Sequence, residues 1–244
     1  NGHLLFTGNP GTGKTEIARL YTEILYEHGL IAENKIVEVG RADLIGEYVG
    51  QTAPKIKTVF DSASGGVLFI DEAYSLIPQS ERDFANEAIP TIIQEMENRR
   101  NEIVVIFAGY KDLMHNFIDT NPGLQSRISK IIHFEDYSVD ELYEIFRMML
   151  SKKDYSIESS CEKVLRSHFS KVGTTEHFGN GRYVRKLIEA SFYQQATRVM
   201  EKTGNRTLEE KEMNIVIEAD IKNAIQELSE LESTQRLIGF GLQG

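Results

Sequence analysis

The chain has 244 residues, 41% of them apolar, which suits one large globular domain and a small second one. Its 37 acidic residues against 27 basic ones give a net charge of −10, which argues against a general nucleic-acid binder, since phosphate contacts need clustered Lys and Arg. Cys161 stands alone, so no internal disulfide can form and a reducing cytosol fits; no run of about 18 apolar residues and no charged-then-apolar leader is present, so neither membrane span nor signal peptide is expected.

The first stretch with chemistry in it is Gly8-Asn9-Pro10-Gly11-Thr12-Gly13-Lys14-Thr15, a complete G-x-x-x-x-G-K-[ST] pattern. His3 to Thr7 before it is short and apolar, a buried strand. From Glu16 onward, apolar residues at 17, 20, 21, 24 and 25 have the spacing of a helix. Strand, glycine loop and helix make a phosphate cradle: backbone N–H groups turn inward on an anion, and the helix N-terminus adds its positive dipole end. Asn9, Pro10, Gly11, Thr12 and Gly13 form the loop, Lys14 would reach the β- and γ-phosphates of a nucleotide, and Thr15 would hold Mg²⁺.

Glu27-His28-Gly29 closes the first helix. Lys35 to Val39 reads as a strand, Gly40 to Gly50 as a glycine-punctuated loop, and Thr52 to Ala63 as a helix. Val67-Leu68-Phe69-Ile70-Asp71-Glu72 is a buried strand that delivers two carboxylates at its C-terminal edge. Asp71 would bind the Mg²⁺ water shell and Glu72 would orient and polarise the attacking water. A long helix is expected over Glu81 to Arg100, kinked or broken at Pro90. Ile103 to Gly109 is a further buried strand, Asp112 to Ile118 a short helix, Asn121-Pro122-Gly123 a turn, and Ile131 to Phe134 the last strand. Alternating strands and helices imply a mostly parallel sheet covered on both faces.

From Tyr137 the pattern changes to helices only. Ser138 with Glu141 is a capping box opening the first of them, with Leu142, Ile145, Phe146 and Met149 on its buried face. Others run from about Glu158 to Val172, from after Gly181 to about Lys202, and from Glu218 to about Leu231. Cys161 falls in a helix as a small buried hydrophobe. The expected organisation is an ATPase core over 1–136, a helical domain over 137–234, and a short mobile tail over 235–244.

Together, the phosphate loop, the Asp71-Glu72 strand, the arginine after Asn121-Pro122-Gly123 and the all-helical second half resemble the AAA+ ATPases. Asp71-Glu72-Ala73-Tyr74-Ser75-Leu76, Glu81-Arg82-Asp83-Phe84, Phe107-Ala108-Gly109-Tyr110-Lys111-Asp112, Asn121 to Ile128 and Ile238-Gly239-Phe240-Gly241 are similar to the subgroup that holds stage V sporulation protein K and the red-type Rubisco activase. The resemblance covers nearly the whole chain. It implies an α/β P-loop fold with a small all-helical lid, and a ring, expected to be a hexamer, with ATP between neighbours. Arg127 would then be the arginine finger that reaches the γ-phosphate in the adjacent subunit. Arg182 would be the sensor-2 arginine that couples the lid to the phosphates, with Arg185 its rival. Tyr48, followed by Val49, would be the pore-loop aromatic that grips a polypeptide.

Two departures from the family pattern stand out. The region where many relatives carry a polar sensor residue, often Asn, reads Phe107-Ala108-Gly109-Tyr110, and Gln125 stands where related sequences often have Arg. The chain also opens on Asn1-Gly2 directly before the first strand, which reads as a fragment of a longer protein and leaves out the segment that usually packs on adenine.

The reading is a cytoplasmic ATP-hydrolysing module that remodels a protein partner through a ring pore. The partner class leans toward the sporulation type rather than Rubisco, with no nucleic acid and no membrane. The alternatives are an ATP-gated assembly scaffold, or, disfavoured by the acidic charge, a DNA-associated loader.

Overall fold

Each apolar run between the glycine punctuation forms a strand, and all of these strands run the same way. The computed structural model describes residues 2–78, 80, 83–175, 178–202 and 214–239, which divide into two units, Asn1–Glu135 and Asp136–Gly244. In the first, the strands are β1 (His3–Gly8), β2 (Ile36–Val39), β3 (Val67–Ile70), β4 (Val104–Gly109) and β5 (Ile128–Phe134). They form one sheet in the order β2-β3-β4-β1-β5, every pair parallel. Crossovers are made by α1 (Lys14–Glu27), α2 (Arg41–Leu44), α3 (Thr52–Ala63), α4 (Ala88–Asn98), α5 (Lys111–Asp119) and α6 (Pro122–Gln125).

Side chains alternate between the two sheet faces with a period of two. On one face Leu4, Phe6, Phe69 and Ile106 pack with Ala18 and Leu25 of α1. On the other, Leu5, Leu68, Ile70, Val105 and Phe107 pack with Phe60 of α3, Ile92 and Met96 of α4, and Phe117 of α5. Burial on both faces explains why these strands read as continuous apolar runs.

Several details differ from the sequence expectation. The helix expected from Glu81 to Arg100 is a 3-10 turn over Phe84–Glu87 followed by α4, and Glu81 and Arg82 lie outside the described residues. Pro90 therefore falls in the first turn of α4, where its missing N–H is tolerated, and the break in the expected helix comes two residues before it, where the 3-10 turn gives way to α4. Asn121-Pro122-Gly123 opens the short helix α6, with Pro122 in its first turn, rather than forming a bare turn. The segment 41–44, read as loop, is the one-turn helix α2. Strand β5 starts at Ile128, three residues earlier than expected.

The second unit holds α7 (Val139–Ser151), α8 (Ser160–Val172), α9 (Asn180–Lys202) and α10 (Glu218–Gly239) around a core that includes Leu142, Phe146, Leu165, Phe169, Leu187 and Ile221. The capping box is present: Ser138 N–H donates to Glu141 Oε2 at 2.8 Å and Glu141 N–H to Ser138 Oγ at 3.3 Å. Two-residue strands, β6 (Ser156–Ile157) and β7 (Ile215–Val216), pair in parallel within this otherwise helical unit. Arg198 forks onto Asp220, both contacts 2.9 Å, and fastens α9 to α10. Helix α10 continues to Gly239, into the segment read as a tail, and residues 240–244 lie outside the described ones. Cys161 is buried, and burial pushes its thiol up to about 11, so it packs as a hydrophobe and stays protonated at neutral pH.

His3 is the titratable group most deeply built into the sheet. Its Nδ1 accepts the Val105 N–H at 3.0 Å. Burial, with the nearby charge of Arg127 adding, lowers it from 6.5 to about 4. Folding thus favours the neutral ring. The stabilisation is complete above pH 6.5 and is lost as pH falls through that value toward 4, amounting to about 3 kcal/mol. Urea unfolding at pH 7 and pH 4 should therefore show a loss of stability that His3→Gln reduces; an unchanged acid sensitivity in that variant would rule His3 out as its source.

Candidate functional site

The loop between β1 and α1 has the backbone its sequence demands. Gly8, Gly11 and Gly13 have φ of 146°, 75° and 89°. At Gly8 a Cβ would also lie 2.3 Å from the Phe134 carbonyl oxygen, so no other residue fits there. Gly13 is the N-cap of α1, and Lys14 and Thr15 form its first turn, where helical N–H groups lack intrahelical acceptors. The Lys14 ammonium donates to the Gly8 and Asn9 carbonyls at 2.8 and 2.7 Å, placing its charge on the rim of the loop. Thr12 is buried and donates to the Asn9 carbonyl at 2.8 Å, drawing in the arm that carries Asn9 and Pro10.

The two acids arrive from β3. Sheet register sets Thr7 beside Gly109 and Ile70 beside Phe107, so Asp71 and Gly8 emerge from the same edge, separated by β4 alone. Two strand spacings make that separation about 10 Å. A triphosphate with a metal ion and a water molecule can be held between groups so placed. Asp71 Oδ1 accepts the Glu72 N–H at 3.0 Å. Glu72 has φ 49°, a left-handed conformation unusual for a side-chain-bearing residue, and caps the 3-10 turn Ala73–Leu76. Among the described residues no cluster of three or more His, Cys, Asp or Glu could hold a metal by itself. A donor set of one hydroxyl and one carboxylate fits Mg²⁺, which commonly binds through one or two protein groups together with phosphate oxygens.

Arg127 lies elsewhere. It immediately precedes β5, whose Ile128 pairs with His3, whereas Phe134 at the far end pairs with Gly8. Six residues of strand put Arg127 roughly 20 Å from the phosphate loop of its own chain. Its Nη2 contacts Glu97 Oε2 at 2.9 Å, its Nη1 donates to the Gly123 carbonyl at 3.0 Å, and its Nε is buried with no hydrogen-bond partner. Glu97 is half exposed, so this ion pair holds the side chain only weakly.

Tyr48 and Val49 occupy the loop between α2 and α3 and are 67% and 86% exposed, an unusual position for two large apolar side chains. Arg182 and Arg185 lie one turn apart near the start of α9, both exposed. The sequence reading missed the residue that anchors that turn: Asn180 is fully buried at φ 45°. Its Oδ1 accepts the Tyr137 N–H at 2.9 Å, and its Nδ2 donates to Asp136 Oδ1 at 2.7 Å and to the Phe178 carbonyl at 3.1 Å. It therefore ties the first residues of the second unit to the start of α9. A left-handed Asn between two glycines was the available signal.

The family model described as "ATPase family associated with various cellular activities (AAA)" matches residues 4–136, and that described as "AAA lid domain" matches 138–230. The chain belongs to the AAA ATPase family. It is 47% identical over 219 residues to the protein CfxQ homolog of Galdieria sulphuraria, covering 89% of this chain and 71% of that protein. It is 45% identical over 205 residues to the chloroplastic ribulose bisphosphate carboxylase/oxygenase activase of Cyanidioschyzon merolae, covering 84% and 70%. It is 43% identical over 201 residues to stage V sporulation protein K of Bacillus subtilis, covering 81% and 62%. The chain is thus a nucleotide-binding ATPase.

This AAA ATPase departs from the common pattern at the end of β4. A Cβ on Gly109 would lie 2.7 Å from Met114 Sδ and 2.8 Å from Tyr74 Cδ1, so any side chain there would have to push both aside. Two tyrosines crowd the place instead: the rings of Tyr74 and Tyr110 are 6.1 Å apart. Burial, then the charges of Glu72, Tyr110 and Asp71, pushes the Tyr74 phenol up to about 12, so it remains a hydrogen-bond donor beside the acids. Introducing the usual polar residue as Gly109→Asn should overpack this corner and destabilise the protein by about 1–3 kcal/mol. Thermal melting checks this, and an unchanged midpoint would show that the Tyr74–Met114 packing is not tight.

Proposed function

We propose that this AAA ATPase forms a ring, with the nucleotide held between neighbouring copies, and remodels a protein partner that it grips through the Tyr48-Val49 loop. The observation that carries the reading is the placement of Arg127 at the edge of the sheet opposite the phosphate loop, too far to serve its own chain's site. A second copy supplies the missing arginine. The pair with half-exposed Glu97 costs little to break, so freeing Arg127 mainly requires giving up its bond to the Gly123 carbonyl. The exposure of Tyr48 and Val49 supports a surface that closes on an extended polypeptide.

Within one site the roles divide as follows. The phosphate loop binds ATP through backbone N–H groups and the N-terminus of α1. Lys14 turns from the loop carbonyls to the β- and γ-phosphate oxygens. Magnesium, held by Thr15 and Asp71, would neutralise phosphate charge. Glu72 accepts a proton from the attacking water and orients it in line with the γ-phosphorus. Arg127 of the neighbouring copy meets the negative charge that develops on the transferring phosphoryl group. Arg182, or Arg185 beside it, links the helical unit to the phosphates. A cytoplasmic setting accompanies this reading, supported by the single buried thiol. The partner is a protein, and Rubisco is the first to try because a relative at 45% identity is named its activase.

Glu72→Gln should bind ATP as the parent does while turnover falls about 10²–10⁴-fold; unchanged turnover would remove Glu72 from the reaction. Tyr48→Ala should keep basal turnover and lose ATP-dependent change in the partner. This chain contains no tryptophan, so the partner's own tryptophan fluorescence reports its remodelling directly. A Tyr48→Ala variant that remodels normally would favour a nucleotide-gated scaffold.

A further inference from the structure

The base of the Tyr48 loop is joined to the turn behind Glu72 by a polar network that no motif announces. Arg41, the first residue of α2, sends Nη2 to both oxygens of Asp83 at 2.7 and 2.9 Å, and Nη1 to the Ser75 carbonyl. Ser75 sits in the 3-10 turn that Glu72 caps, and its own N–H donates to the Glu72 carbonyl at 2.8 Å. Asp83 in turn caps the next turn, Phe84–Glu87, by accepting the Ala85 N–H at 2.9 Å. That second turn holds the loop from its other end. Thr52, fully buried, accepts the Gly46 N–H at 3.0 Å and donates to the Phe84 carbonyl at 2.9 Å, and the Ala53 N–H donates to Glu87 Oε1 at 3.3 Å.

The loop's two ends, Gly46 and Thr52, are therefore fixed to a segment whose other end is Glu72. The Arg41–Asp83 pair is the rigid part of this connection. Its carboxylate is 11% exposed and the guanidinium 33%; Nη2 alone bridges both carboxylate oxygens, which leaves Nη1 for the Ser75 carbonyl. Losing Arg41 would leave Asp83 its cap on Ala85 but cut the contact from that turn to α2.

We infer that Arg41 is a positioning residue that transmits the placement of the Glu72 turn to the Tyr48 loop, so that the state of the nucleotide sets how the loop is held. Glu72 follows β3 on the edge of the sheet that carries the phosphate loop, and does so from a left-handed backbone. A contact there that differs between ATP and ADP shifts the turn, carries the Ser75 carbonyl with it, and through Arg41 and Asp83 moves both anchors of the loop. Only such a differential contact can bias the loop. The inference rests on the proposed reading of residues 45–51 as the partner-facing loop and of the phosphate loop as the ATP site.

Hydrogen exchange, read by mass spectrometry on the whole chain with a non-hydrolysable ATP analogue and with ADP, tests it. In the parent, residues 45–51 should exchange at rates that differ about fivefold or more between the two nucleotides. In Arg41→Ala that difference should vanish while either nucleotide still protects residues 9–15. Arg41→Lys, which keeps the charge without a second nitrogen for the Ser75 carbonyl, and Asp83→Asn should behave as Arg41→Ala does. A nucleotide-dependent loop that survives Arg41→Ala, or a parent loop that does not respond, overturns the inference while leaving the ATP site intact. Absence of protection at residues 9–15 in the parent overturns the nucleotide-site reading, and this inference with it.

Discussion

All five strands of the main sheet point the same way, so one edge of the sheet collects every strand's C-terminal end and the opposite edge every beginning. The rest of the molecule depends on this constraint. It brings the phosphate loop after β1 and the carboxylates after β3 to one side, with only β4 between them. It also fixes Arg127, at the start of β5, on the other side. In the proposed reading, a single copy carries the phosphate loop and the paired acids on one side and presents Arg127 on the other, where a neighbouring copy would use it. The division needs no special architecture beyond the parallel crossovers, each of which returns the chain to the starting edge.

What the sequence made legible was local or strictly periodic. The phosphate loop could be read because its glycines answer a backbone demand that no other residue meets, at Gly8 above all, where both φ and the Phe134 carbonyl exclude a side chain. The buried strands β3 and β4 could be read because burial on both faces leaves them wholly apolar. Less legible features depended on distant contacts. Pro90 looked like a helix breaker until the helix was seen to begin at Ala88, which makes it a first-turn residue. The missing polar sensor after β4 was visible as an absence, but the reason, Tyr74 and Met114 pressed against Gly109, involves residues from two other segments. Arg41 and Asp83 are 42 residues apart and carry no pattern linking them.

The tyrosine pair and the Arg41 network together place the segment behind Glu72 at the centre of the first unit. It begins in a left-handed residue, borders the corner where Tyr74 stays protonated beside two carboxylates, and ends in the turn to which the Tyr48 loop is tied. A segment held at both ends by half-buried polar contacts, rather than by apolar packing alone, can change its hydrogen bonds without unfolding the core. In the second unit Asn180 does comparable work, fixing the turn that carries Arg182 to the residues that open that unit.

The most direct test of the account is ATP turnover per chain measured across a wide range of protein concentration, alongside size-exclusion runs with and without ATP. Sites completed by Arg127 from a neighbour predict turnover that rises steeply as a larger species appears. Arg127→Ala should stay flat and about 10³–10⁵-fold lower while still binding nucleotide. Turnover per chain that is constant from the most dilute solution upward, and unaffected by Arg127→Ala, would mean that one copy holds a complete site and would contradict the account.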